Sequence, residues 1–187
     1  KPGARYELWY ADASEVGLWP HLARGWRRRG RQRVVRTPGK NRKLAVFGAL
    51  CYGHGLFRWC TQPSRRVAGM RELVRKLLRR ARRTGRKIVL VLDQGSPNHA
   101  RSLHRDLEAA RPWIEVFWLP HYCWELNLIE RLWKHLKASR LSNVLFAGLG
   151  QLTRHVHRAL EDFAKHPDLI LSIVNPKPRQ PKPKNLP

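Results

Sequence analysis

KIVLVLDQGSPNHAR, residues 87–101, is the stretch that decides the fold. Ile88 to Leu92 form an unbroken apolar run that Asp93 ends. A strand covered on both faces reads this way, whereas a half-exposed strand alternates. The period then changes. Ser96-Pro97-Asn98 opens a helix to about Arg111, with Ala100, Leu103, Leu107 and Ala110 facing inward. IEVFWL (114–119) is a second apolar strand, stopped by Pro120. A strand, a helical connection and a strand in this order favour parallel pairing in the middle of an α/β sheet.

Upstream, Val67, Met70, Val74, Leu77, Leu78 and Ala81 recur at steps of three and four, the apolar stripe of a helix over 66–83. Its other face is almost entirely Arg and Lys, and Thr84-Gly85 ends it. KLAVFGALC (43–51) and GLFRWCTQ (55–62) read as strands joined through Tyr52-Gly53-His54 in a hairpin. QRVVRT (32–37) is another strand candidate, and YELWYAD (6–12) is a strand expected to present Asp12 at its C-terminal end. Downstream, helices are expected over about 126–140, through Leu126, Ile129, Trp133 and Leu136, and over about 149–165. The pattern predicts an α/β domain over 1–174, a mixed sheet flanked by helices. Residues 175–187 (NPKPRQPKPKNLP) read as a basic, Pro-rich disordered tail.

Charge narrows the partners. Lys and Arg number 38 against 13 acids, a formal net charge of +25 in 187 residues. So large a surplus repels itself unless a polyanion neutralises it, and nucleic acid is the first candidate. A solvated basic surface is the alternative. No CxxC occurs among Cys51, Cys60 and Cys123, which argues against a zinc knuckle or a disulfide framework. The apolar runs fall far short of the ~20 residues that a membrane span needs. With no signal peptide, the expected compartment is the cytoplasm, at the nucleoid. The chain starts at Lys1 and its one Met is Met70, so the N-terminus reads as cut from something longer.

Asp12 and Asp93 both end expected central strands, and open α/β sheets place their sites beyond the carboxyl ends of strands. A turn-forming Asp is the plainer reading of either one alone. Glu130 lies in LPHYCWELNLIERLWKHLK (119–137), at the edge of a core-facing helix stripe; it reads equally as an i,i+4 partner of Lys134. Three clustered acids suit phosphodiester cleavage, which is served by two divalent ions ~3.5–4 Å apart. Mg²⁺ takes carboxylate oxygens and keeps several waters.

The 119–137 segment resembles the third-acid motif of mariner-type and related bacterial insertion-sequence transposases, in which "LP…Y…P-x-LNPIE…W…LK" is typical. KIVLVLDQGSPNHAR resembles their second-acid strand, and YADASEVGLWPHLARGWRRRGRQRVV (10–35) their first-acid block. The resemblance implies a ribonuclease H-like (retroviral-integrase-like) fold and a catalytic, metal-binding triad of Asp12, Asp93 and Glu130. It also implies Mg²⁺ or Mn²⁺ (two ions), cut-and-paste DNA transposition and a homodimer working on transposon ends and target DNA. Neither a membrane nor a small-molecule substrate is expected. The chain departs from the pattern at Ala13, Gln94, Trp124 and Leu128, and His99 stands one residue further along than usual. The family's N-terminal helix-turn-helix domain is not in this sequence.

Arg24, Arg27, Arg28, Arg29, Arg31 and Arg33 are the candidate DNA-backbone contacts, with His121, Lys134 and Lys137 beside the third motif. Trp19, Trp26 and Trp124 are candidates for stacking on unpaired bases, although core packing is the commoner fate of Trp. Glu15 and Glu125 are candidates for substitute ligands near the triad acids, although a loop or surface role is the commoner one for Glu. Two other functions fit the same charge: a non-enzymatic basic nucleic-acid-binding domain, descended from a decayed transposase, and a related metal-dependent DNA nuclease.

Overall fold

The computed structural model describes residues 6–23, 26, 28–31, 34, 37 and 39–175. Five strands form one sheet in the order β3-β2-β1-β4-β5. They are β1 (Tyr6–Gly17), β2 (Lys43–Cys51), β3 (Phe57–Gln62), β4 (Lys87–Leu92) and β5 (Ile114–Trp118). β1 to β3 pair antiparallel, and β4 pairs parallel with β1 on one side and β5 on the other. The apolar run of 88–92 is therefore an interior strand, as its composition requires.

α1 (Val67–Thr84) and α2 (Arg101–Ala109) cover one face of the sheet. Trp9, Ala11, Phe47 and Leu90 point into that layer and pack on Met70, Leu73, Leu77 and Leu103. α3 (Ile129–His135), α4 (Leu149–Lys165) and α5 (Pro167–Val174) cover the other face. There Val16, Val46 and Leu50 meet Ile129, Trp133, Leu160 and Phe163. Gly85, at φ 66°, ends α1 in the left-handed conformation that costs glycine least.

Several expectations shift. β1 runs on to Gly17, so Asp12 lies inside a strand instead of at its end. β4 pairs with β1 only as far as Tyr10↔Val91, which leaves Asp12 just beyond the carboxyl end of its neighbour. The antiparallel partner β2 holds β1 extended through residue 17. The strand expected over 32–37 falls mostly outside the described residues; residues 34 and 37 carry no strand. The helix expected to open at Ser96-Pro97-Asn98 and run to about Arg111 is a 3-10 turn (Ser96–His99) followed by α2. The one expected over 126–140 is a 3-10 turn (Trp124–Leu126), α3 and a π turn (Leu136–Arg140). Pro167, at the start of α5, opens a helix that the chain pattern did not announce. The tail beyond 175 lies outside the described residues.

A buried ion pair locks α1 to β1. Arg80 donates to both carboxylate oxygens of Glu7 at 2.8 Å, and the Trp9 indole donates to the same group at 3.0 Å. Burial pushes the Glu7 carboxyl up, but the bonds from Arg80 and Trp9 and the charges of Arg80 and Arg86 hold it below its ordinary value. Removing one partner strands a buried charge. Arg80→Ala is expected to cost about 3 kcal/mol, the low end of that class because Arg86 stands 3.7 Å from Glu7 as a remaining cation. Urea unfolding at neutral pH measures it.

Candidate active site

Side chains along a strand alternate between its two faces. Trp9, Ala11 and Ala13 face α1, so Asp12 faces the α3 layer. Asp93 shares the parity of Val91, the register partner of Tyr10, which packs on that same layer. Glu130 enters from α3 itself. The structure thus brings Asp12, Asp93 and Glu130 to one face at one end of the sheet.

Their electrostatics record the approach. Asp12 is 3% exposed and its pKa is raised to about 8. Burial is the largest cause, followed by the charge of Asp93, then a hydrogen-bond contact and charge repulsion from Glu130; a backbone bond from Ala13 opposes them. Arg65 stands 3.7 Å from the Asp12 carboxylate. Asp12 and Glu130 line a cleft of about 470 Å³ whose cations are Lys43, Arg65 and Lys137. Asp93 lies outside that lining and meets Asp12 through its charge.

Each acid has a device that holds it. The Asp93 carboxylate accepts from the Gly95 backbone at 3.2 Å and from the Asn98 amide at 2.7 Å, and that amide also reaches the Asp93 carbonyl. Asn127 donates to the carbonyl of Ala11 at 3.0 Å, pinning the start of α3 beside Asp12. Gly48 is the register partner of Asp12 on β2. A Cβ there would stand 2.6 Å from Trp133, so glycine lets α3 close onto the sheet. Gly48→Ala is expected to cost about 1–3 kcal/mol and to push Glu130 away from the aspartates. Denaturant unfolding, together with a metal titration of the variant, checks both effects.

The remaining predicted residues divide. Lys137 lines the cleft, while Lys134 is exposed and, among the described residues, makes no ion pair with Glu130. The alternative reading of Glu130 as a partner of Lys134 is not realised. Arg28, Arg29 and Arg31 are exposed; Arg24, Arg27 and Arg33 lie outside the described residues. His121 is exposed and packs against the Tyr122 ring. Trp19 borders the cleft at 57% exposure, and Trp26 and Trp124 are exposed. Glu15 pairs with Lys43 at 3.3 Å on the cleft wall, and Glu125 is exposed. Gln94 donates to the carbonyl of Leu119, and the His99 ring bonds the carbonyl of Gln94, so both brace strand ends instead of touching the acids.

Sequence reasoning missed Arg65, Asn98 and Asn127. Asn98 had a signal, an amide five residues after a candidate acid. Arg65 becomes visible only once the antiparallel β2–β3 pair returns the chain to the Asp12 end of the sheet.

The donor set is all carboxylate, which suits a hard divalent cation. Among the described residues no group of three His, Cys, Asp or Glu side chains stands so that it could hold a metal ion by itself. Mg²⁺ does not require one, because it binds through one or two carboxylates, waters and substrate phosphates. A buried Asp12 crowded by two carboxylates is relieved by such a cation, so the residues fit.

Comparison with known proteins adds to this geometry. A family model described as DDE superfamily endonuclease matches residues 7–153. The insertion element IS630 uncharacterized 39 kDa protein of Shigella sonnei is 27% identical over 164 residues, covering 88% of this chain and 47% of that protein. The chain thus spans about half the length of this curated relative. Among solved structures, a Mos1 transposase paired-end complex with left transposon end superposes with a TM-score of 0.59 at 12% identity, covering 91% of this chain and 55% of that one. The catalytic domain of Mos1 mariner transposase gives 0.53 at 13% identity, covering 91% and 78%. The shared feature is a mixed five-stranded sheet flanked by helices, the ribonuclease H-like fold. Among the described residues no helix is long and apolar enough to cross a membrane.

Proposed function

The chain belongs to the DDE superfamily of endonucleases, and from that membership we propose that it is the catalytic domain of a DNA transposase. It cleaves DNA and transfers the freed 3′ end into a target with the help of Mg²⁺ or Mn²⁺. One observation carries the reading: three carboxylates, remote in sequence, stand on one face at one end of the sheet, around the buried Asp12. The IS630 protein is named for an insertion element, and Mos1 structures are described with Mn and with Mg.

Asp12, Asp93 and Glu130 are the residues that would hold the metal. When bound, the ions supply Lewis-acid stabilisation of a phosphodiester displacement and lower the pKa of the attacking hydroxyl or water. The chain's own residues do the rest. Asn98 and the Gly95 backbone hold the Asp93 carboxylate in one orientation. Lys43, Arg65 and Lys137 set a positive wall where a scissile phosphate can sit beside the acids. Lys134 and His121, with Arg24, Arg27, Arg28, Arg29, Arg31 and Arg33, are the further cations offered to flanking DNA. Two copies work together, each on one transposon end.

The test supplies a labelled duplex with a free 3′ hydroxyl, a plasmid and Mn²⁺. Joined products are expected, and their formation stops on chelation. Nicks without joined products would reduce the proposal to a nuclease; neither product would leave a decayed, DNA-binding domain.

A further inference from the structure

We infer that the cleft between β3 and the C-terminal half of α1 is a second binding site for duplex DNA, on the face of the sheet opposite the acids. Arg58 of β3 and Lys76, Arg79, Arg80 and Arg83 of α1 converge on a cleft of about 380 Å³. Arg58 pairs with Ala49, which pairs with Ala11, so it shares the face that α1 covers. Arg80 lies over the Trp9 ring on that same face, at 5.6 Å. Asp12 has the opposite parity. A phosphate bound here therefore belongs to a different stretch of DNA from one held at the acids.

The cleft's own carboxylates leave it positive. Glu7 neutralises Arg80, and Glu72 neutralises Lys76, whose ammonium also donates to the Trp59 carbonyl. Among the described residues, Arg58 has only the carbonyl of Phe57. Among the described residues, Arg79 and Arg83 have neither an ion pair nor a side-chain hydrogen bond. Burial lowers the pKa of the Arg58 guanidinium, and the charges of Arg80 and Arg83 lower it further, against the opposing pull of Glu7. A merely solvated row would not set a half-buried arginine among other cations; a bound anion removes that cost.

The form of the cleft selects the anion. Steps of three and four residues place Lys76, Arg79 or Arg80, and Arg83 in a rigid row ~10 Å long. A duplex carries a phosphate every ~3.4 Å along each strand. Sites for single strands add aromatic stacking platforms, and sites for membranes add apolar anchors; the lining here is Arg and Lys throughout. The site rests on the DNA-processing reading for its purpose but not for its chemistry, because it uses none of the three acids. It lets one chain grip two duplexes at once, as joining an end to a target requires.

Fluorescence anisotropy of a labelled duplex against salt, using the full 187-residue chain, tests this. The double variant Arg79→Gln/Arg83→Gln is expected to lose about 10-fold in affinity at physiological salt and about 2 units of the log–log salt slope. Arg154→Gln/Arg158→Gln removes the same charge from exposed positions of α4 and is the control. Unchanged binding in the first pair, or an equal loss in both pairs, overturns the inference. Single-stranded RNA or anionic phosphatidylglycerol vesicles displacing the duplex more effectively than unlabelled duplex also overturn it. Asp93→Asn is expected to retain the component that the α1 pair removes; if that component vanishes with Asp93, the two sites are one and the inference falls. Joining activity in Asp93→Asn reports separately on the acids.

Discussion

Asp93→Asn is expected to lower divalent-ion-dependent cleavage and joining by at least about a thousandfold while leaving the fold and the DNA affinity close to wild type. The magnitude follows from the metals' role: charge stabilisation at the reacting phosphate is worth several kcal/mol, and about 4 kcal/mol corresponds to about a thousandfold in rate. Asn preserves the bonds that shape the site. The Gly95 backbone and the Asn98 amide both donate to the same Asp93 oxygen, Oδ1, whose place an asparagine carbonyl oxygen takes. Binding survives because it comes from cations spread over the surface, with 38 Lys and Arg in the chain. Asp12→Asn and Glu130→Gln belong to the same cooperative unit, so combining any two should cost little more than one alone. Nicking of supercoiled plasmid across a Mn²⁺ series, with anisotropy on the same preparations, measures both halves. Cleavage that persists in Asp93→Asn removes this residue from the chemistry.

The parts of this site that were legible in the sequence share a physical cause. Asp93 stood out because an apolar run of that kind suits a strand buried on both faces, and because a second acid, Asp12, was expected at the end of another central strand. Glu130 stood out through its place beside Ile129 and Trp133 on an apolar stripe and through the family motif around it. Asp12 was found for a reason that needed correction. β1 does not stop there; its parallel neighbour does, and the site forms where pairing on one side ends while the antiparallel partner on the other continues. That depends on the register between strands some 80 residues apart, which no local pattern encodes. Arg65 and Asn127 were hidden for the same reason, since each acts across a long gap in sequence. The cationic face of α1 was legible as composition, whereas its convergence with Arg58 required β3 to lie against it.

The departures from the family pattern also acquire a structural account. Gln94, directly after the second acid, turns its amide to the carbonyl of Leu119 and ties the end of β4 to the end of β5. Asn98, four residues later and 2% exposed, takes up the carboxylate of Asp93 instead.

The same buried carboxylate that marks the site should govern the stability of the metal-free protein. Asp12 has a folded pKa of about 8, above its ordinary value of 3.8. A raised pKa means that the native state keeps a proton which the unfolded chain gives up. The stabilisation is complete below the unfolded value and is lost as pH rises through the folded one. Between about pH 4 and pH 8, metal-free wild type should thus lose on the order of 5 kcal/mol of unfolding free energy that a neutral side chain of the same shape retains. Asp12→Asn is that side chain, and its amide can donate toward Asp93 and Glu130, which repel a carboxylate. In chelator at mildly alkaline pH the Asp12→Asn variant should melt at a higher temperature than wild type, and the gap should close toward pH 4. Divalent cation should reverse the order, because ligand binding to the native state stabilises by mass action and only wild type presents the full set of acids. Thermal unfolding of both proteins across pH, with and without Mn²⁺, gives the four curves needed. Parallel wild-type and variant curves in chelator would mean that Asp12 is solvated and ionised like any surface carboxylate, and the pocket would then lack the electrostatic demand from which a metal site has been argued.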